Sequence, residues 1–342
     1  MKKIFLFLFV TALFSAQETI QLDFKQSLKD KYSRIKSLNV RDLRKDKNVG
    51  SITNKRGTVD VKLVEQDVSD FFSKKFLADN KTVGNNDITV LLEEVKIYNE
   101  QAPNDVMNFA KAKIRVSSFL RRNDKYYFID RFDNVFVELN SDSKVAKNLA
   151  QTTSDIIIEF IKNSYSSPVL SYYIPENELE NYDAYLSKNN KALSENVLKD
   201  GVYFNSKTFF EQTPNPDHFL VKNKKGEVKT INNKQDLSIS MSHVFCYVDN
   251  GIQYIGTAAG FKEVKKYHSG SYIFASRAQL FPEKVGTGAL VGAMAGGMVG
   301  AAIGAAIDSG SGRSNAKGYG FKNGTVTKVY IDSLTGDLVF TE

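Results

Sequence analysis

Val59, Val61 and Leu63 alternate with polar residues, and the apolar spacing then changes: Val64, Val68, Phe71, Phe72 and Phe76 recur every three to four positions. The first pattern predicts a half-buried strand and the second an amphipathic helix. Ile88, Val90 and Leu92 return to alternation. The clearest strand is Ala110, Ala112, Ile114 and Val116 set against Lys111, Lys113 and Arg115. One apolar face and one uniformly basic face are what a half-solvated antiparallel sheet requires. Residues 126–139 predict an aromatic hairpin with its turn near Asp133-Asn134. Val145, Leu149, Thr152, Ile156 and Phe160 then share one face of a second helix, with Ser143 placed to cap it. The order over 17–165 is strand, strand, helix, three strands, helix: an α+β layer and not a doubly wound parallel sheet.

Periodicity lapses over 166–178, where Ser166, Ser167, Pro168 and Pro175 mark a linker. Beyond it, 179–342 reads as mainly β after a short helical stretch at 181–199. Lys225-Gly226, Asn250-Gly251, Ser269-Gly270 and Thr335-Gly336 are each flanked by Tyr, Val, Ile or Phe and signal hairpins. The expected fold class is therefore α+β in two domains: an N-terminal mixed sheet with two helices, and a mainly antiparallel β domain carrying a Gly/Ala-rich helical insertion.

Ser37-Leu38-Asn39-Val40-Arg41-Asp42-Leu43-Arg44, then Val49-Gly50 and the strand and helix from Thr58, resemble the opening of YajG-like bacterial envelope lipoproteins. In that family a hydrophobic strand ends in Asp-x-Arg, here Asp42 and Arg44, ahead of a strand–helix unit. The resemblance spans about 150 residues and implies a domain related in shape to auxiliary components of envelope transport systems. It stops short of their lipid anchor, because no cysteine stands directly after the N-terminal apolar stretch. The second half, with Gly201-Val202-Tyr203, the run 244–255 and Gly270-Ser271-Tyr272-Ile273-Phe274, is similar to a domain of uncharacterised secreted proteins from Bacteroidetes. That likeness implies export and supplies no activity.

Composition narrows the chemistry. The 342 residues include a single cysteine, Cys246, and three histidines, which argues against disulfides, a Cys-rich zinc site or a His-rich metal centre. Met1-Lys2-Lys3, the apolar run 4–10 and the small residues up to Ala16 form the zones of a secretory signal peptide at 1–16, with an uncleaved anchor as the alternative. Without Lys2 and Lys3 the chain keeps 44 basic against 39 acidic residues. Eleven of the basic ones fall between Lys25 and Arg56. Such a stripe can track phosphates or acidic lipid; in an exported protein a solvated helix face is the favoured reading, and no nucleic acid is expected.

The most specific signal is Gly288, Gly292, Gly296, Gly300 and Gly304 at strict four-residue spacing. On a helix they form a smooth groove, with Leu290, Met294 and Met298 as an opposing apolar ridge. Small residues so spaced let helix backbones approach closely where no water competes. Residues 285–307 carry no charge and, at ~1.5 Å each, would extend roughly 35 Å, enough for a ~30 Å bilayer core. The high Gly and Ala content also admits a loose surface loop. The strands predicted on either side belong to one β domain, so a hinge near Gly296-Gly297, or packing in an assembly, fits better than a single crossing. Gly286-x-Gly288-x-x-x-Gly292, with Asp308 beyond, mimics a dinucleotide motif but has no βαβ frame.

Catalytic constellations are weak. His218, His243 and His268 are isolated, Asp217-His218 reads as a surface pair, and Ser242-His243 lacks a nucleophile elbow. Glu93 and Glu94 are neighbours on a strand and should face opposite ways, and Cys246 reads as a buried small hydrophobe. The sequence thus points to a non-enzymatic envelope protein without cofactor, periplasmic or outer-membrane associated in a Gram-negative cell. It would meet a membrane through 285–307, self-associate or bind envelope proteins. The competing reading is a soluble periplasmic adaptor recruiting an envelope complex.

Overall fold

The computed structural model describes residues 18–54, 56–63, 67–101, 108–139, 144–194, 197–257, 259–267, 270–280 and 326–339. The expected signal peptide, the glycine segment 285–307, Val64, Ser143 and His268 lie outside them. The fold is α+β. Eight strands form one mixed sheet among the described residues: β1 (Glu18–Gln21), β2 (Ile35–Asp42), β3 (Gly50–Asn54), β4 (Gly57–Lys62), β5 (Asn86–Gln101), β6 (Asn108–Arg122), β7 (Lys125–Leu139) and β8 (Ile174–Pro175). Helix α1 (Val68–Asp79) joins β4 to β5, and α2 (Val145–Ser164) follows β7.

The order is β1-β4-β3-β5-β6-β7-β8, with β2 lying parallel to the first half of β5. β3 also runs parallel to β5, meeting its second half at Gly50↔Ile97, so β2 and β3 share one side of β5 end to end. Only glycine permits that second contact: Gly50 has φ +125°, and a Cβ there would sit 2.0 Å from the Ile97 carbonyl oxygen. The alternation read in the sequence buries one face under the helices. Ile88, Val90 and Leu92, then Ala110, Ala112, Ile114 and Val116, pack in one core with Phe72 and Phe76 of α1 and Leu149, Ile156 and Phe160 of α2. Helix α1 begins at Val68 because the Asp67 side chain accepts the Asp70 N–H at 2.9 Å, a side-chain N-cap.

Several expectations change. The β6–β7 turn is at Asn123-Asp124, whose φ angles of 49° and 58° close a two-residue hairpin between Arg122 and Lys125. Asp133 and Asn134 instead sit inside β7, opposite Arg115 and Ile114. The basic stretch 25–56 forms no helix; its described residues lie on β2, β3 and loops, and several are engaged individually. Arg44 is buried against Asp42, and Arg41 donates to Tyr126 and Glu176. The basic face of β6 is not left to water either: Lys113 pairs with Asp133, and a further layer covers the neighbouring positions.

That layer starts in the stretch read as a linker. Leu170 and Ile174 are buried there, and the Leu170 N–H donates to the Phe128 carbonyl at 2.9 Å. With helix α3 (Tyr182–Asn189) they cover Leu91, Phe119, Tyr126 and Phe128 on the sheet's outer face. Next come α4 (Lys191–Ser194), β9 (Gly201–Tyr203), α5 (Ser206–Phe210), β10 (His218–Lys222), β11 (Val228–Asn233), β12 (Ser238–Ile239), β13 (Cys246–Asp249), β14 (Ile252–Thr257) and β15 (Gly260–Glu263). The chain ends in β16 (Lys265–Tyr267), β17 (Gly270–Ala275), α6 (Arg277–Leu280), β18 (Thr327–Ile331) and β19 (Leu338–Val339). They form three antiparallel sheets, β15-β14-β13-β9, β10-β11-β12 and β16-β17-β18-β19, with hairpins where Lys225-Gly226, Asn250-Gly251 and Thr335-Gly336 predict them; Ser269 of the remaining turn signal lies outside the described residues, and Tyr267 pairs with Gly270 across it. The two four-stranded sheets share a core containing Tyr203, Phe209, Cys246, Ile255, Ile273 and Val329.

Candidate functional site

The glycine groove (Gly288, Gly292, Gly296, Gly300, Gly304) and its ridge (Leu290, Met294, Met298) fall outside the described residues, but both ends of the connection that carries them are placed. β17 and β18 are hydrogen-bonded neighbours, with Ala275 opposite Thr327 and Ser271 opposite Ile331. The chain therefore leaves after Ala275 and returns before Thr327 at the same end of one sheet. Ile273 and Ala275 on β17, and Val329 and Ile331 on β18, point into the core, so this base is held by buried side chains on both strands.

Five residues past that return point, the β18–β19 turn docks on the first sheet. Leu334 enters the apolar cluster with Phe119, Phe128 and Tyr182. Asp332 organises the turn by accepting the Leu334 and Thr335 N–H groups at 2.8 and 3.0 Å, and its other oxygen receives Arg131 of β7. Arg131 also donates to Asp183 of α3 at 2.8 Å, and Arg115 of β6 reaches the same Asp183 oxygen at 2.9 Å. Arg115 lies 3.3 Å from Glu93. Two sheet arginines thus hold carboxylates from β5, from α3 and from the turn that anchors β18.

Glu93 reaches this cluster through a bulge. Leu92 pairs with Val116 but Glu94 with Arg115, which leaves Glu93 as the extra residue and breaks the strict alternation expected of it and Glu94. The Ser117 hydroxyl donates to Glu93 at 2.5 Å, and the Tyr182 hydroxyl lies 2.6 Å from Ser117. Burial raises the Glu93 carboxyl above its usual range despite the bonds from Ser117 and the charge of Arg115. Burial likewise pushes Asp130 up to about 7 and Asp337 well above its ordinary value, and it lowers the Lys207 ammonium to about 8. Ser117 is fully buried. The arrangement acts as a clamp: it positions the turn, and its charges are matched from several elements.

Sequence reasoning missed the clamp, although Asp130-Arg131 interrupting the apolar Phe128-Ile129 and Phe132 is the signal that could have found its centre. Other candidates are separate. His218 Nδ1 lies 2.9 Å from the Asn215 side-chain oxygen, and Asp217 pairs with Lys234 instead. His243 is exposed, and the Ser242 hydroxyl meets Ser240. Cys246 is buried, with its thiol pKa raised by that burial. Asp42 and Arg44 form a two-point ion pair, both contacts at 2.9 Å, beside an open cleft that Lys47, Gly50 and Asp60 also line. Burial pushes the Asp42 carboxyl up, but Arg44 outweighs it and holds it below its usual range. Among the described residues no helix is long and apolar enough to cross a membrane, and no three His, Cys, Asp or Glu side chains are grouped to hold a metal ion. Comparison with known proteins gives no match: no family model fits the sequence, and no curated protein or solved structure aligns with it significantly.

Proposed function

We propose that this is a non-enzymatic, exported cell-envelope protein that associates with a membrane or self-assembles through the glycine-rich segment 285–307. The observation that carries the reading is the pairing of Ala275 with Thr327. A segment crossing a bilayer once would place these two hydrogen-bonded strands on opposite sides. The pattern is instead compatible with a loop projected from a fixed base, bent near Gly296-Gly297 or packed against a second copy. Two arms of roughly ten residues would each extend ~15 Å, about half of a ~30 Å hydrocarbon core. Backbone groups at such a bend need partners, and closely packed glycine faces allow the two arms, or two copies, to approach. The clamp contributes by holding β18, and with it the loop's base, against the large sheet. The likeness of Ser37–Arg44 and the following unit to YajG-like envelope proteins supports the same compartment.

The test is replacement of Gly292, Gly296 and Gly300 by Leu in the full chain. Membrane retention on carbonate extraction, or oligomer size in detergent, should be lost; unchanged fractionation together with unchanged size contradicts the proposal.

A further inference from the structure

The outward face of β16–β18 stands beside the root of the glycine segment and has an unusual composition. Along β17 the side chains alternate: Ile273 and Ala275 point into the core, while Tyr272 and Phe274 point out. Across the sheet Tyr272 is opposite Tyr330 and Lys265, and Phe274 is opposite Lys328. Tyr267 and Phe274 are 53% and 50% exposed. The rings touch each other: Tyr272 lies 5.4 Å from Phe274 and 6.3 Å from Tyr330 between centroids, and the Lys328 ammonium sits 5.0 Å above the Tyr272 ring. Val326, the residue before β18, is 55% exposed.

We infer that this face, built from Tyr267, Tyr272, Phe274, Tyr330, Lys265 and Lys328, lies against an anionic phospholipid surface. The inference rests on the proposed function for its choice of a membrane, and it adds the headgroup chemistry and the orientation. Three observations select lipid. Tyrosines with polar tips beside an exposed Phe match a membrane interface, where a ring is half in hydrocarbon and half in headgroups. Lysines can lay their stems along those rings and raise their charges to phosphate. The three strands themselves are basic: β16, β17 and β18 contain Lys265, Lys266 and Lys328 and no acidic residue. Glu263 pairs with Lys265 at the margin, and Lys266 stands exposed on the same strand. Lysines on β16 also discourage another strand from adding at that edge. What remains for docking is the face.

The experiment is co-sedimentation of the full chain with phosphatidylcholine vesicles, with and without phosphatidylglycerol, over a range of salt. The wild type should sediment with the anionic vesicles and be released by salt. Lys265→Glu with Lys328→Glu should weaken partitioning by more than about tenfold, since each basic residue near such a surface contributes on the order of 1 kcal/mol. Tyr267→Ser with Phe274→Ser should weaken it as well. A wild type that ignores anionic vesicles, or whose binding is indifferent to salt, overturns the inference without reference to any variant. So does a charge-reversed protein that binds like the wild type, or a dimer formed through this face that Phe274→Ser disrupts in the absence of vesicles. The triple Gly→Leu protein separates the two proposals: salt-sensitive vesicle binding that survives in it supports the sheet face even where the glycine reading fails.

Discussion

Two sheet faces in this protein reverse the simple expectation of charges outside and rings inside. The outer face of β5–β7 carries Glu93, Lys113, Arg115 and Arg131, and it is covered by α3, by Leu170 and Ile174, and by the β18–β19 turn. The outer face of β16–β18 carries exposed Tyr267 and Phe274, with half-buried Tyr272 and Tyr330 beside them. Charged groups can be covered because each finds an opposite charge arriving from elsewhere in the chain: Arg131 meets Asp332 from 201 positions away. Exposed rings in water call for a different explanation, and the proposed lipid contact supplies one. The covered face joins the first sheet to the last strands, and the open face is the one proposed to meet lipid.

The largest expected effect breaks the covered face. Arg131→Ala leaves Asp332 buried without its cation and should cost about 3–5 kcal/mol in urea unfolding, whereas Arg131→Met with Asp332→Asn should cost less because it removes both charges and keeps the bulk. A cost under about 1 kcal/mol for the alanine variant would mean the clamp does not join the two regions. Next is Leu334→Ala, expected to lose about 2–4 kcal/mol by emptying the space among Phe119, Phe128 and Tyr182.

A pH effect follows with a definite sign. Glu93, Asp130 and Asp337 have raised folded-state pKa values, so the folded state holds more protons than the unfolded chain above the ordinary carboxylate range. Stability from these groups is full below about pH 4 and is lost as pH rises, Asp130 completing its share at about 7. Thermal melts should show the midpoint falling over that window, and Asp130→Asn with Asp337→Asn should flatten the slope; an unchanged slope contradicts the assignment. The smallest effect belongs to the open face. Phe274→Ser should change unfolding free energy by less than about 0.5 kcal/mol, because the ring contributes little to the core. A loss of several kcal/mol would show that the ring is structural.

Local patterns were legible in the sequence wherever one element contains its own signal. The alternation Ala110–Val116, the helical face from Val145 to Phe160 and the Asn250-Gly251 turn all appear as read. What stayed hidden depends on partners remote in sequence or on backbone detail. Asn123-Asp124 turns the chain without a glycine, and the bulge at Glu93 is visible only as a shift of register. The basic face of β6 looked solvated because nothing near it announces Asp183 or Asp332. For the glycine segment, sequence supplied the spacing, while the pairing of β17 with β18 supplied the fact that the chain leaves and rejoins the sheet at the same end.

The proposed contact of the open face with lipid can be probed directly, because the chain has no tryptophan. Phe274→Trp places a single indole on that face, and Phe219→Trp places one on β10, where Phe219 is 44% exposed. On addition of phosphatidylglycerol-containing vesicles the emission of the first should shift to the blue and lose access to aqueous quencher, while the second stays unchanged. No shift at position 274, or an equal shift at both positions, would contradict a lipid contact at this face.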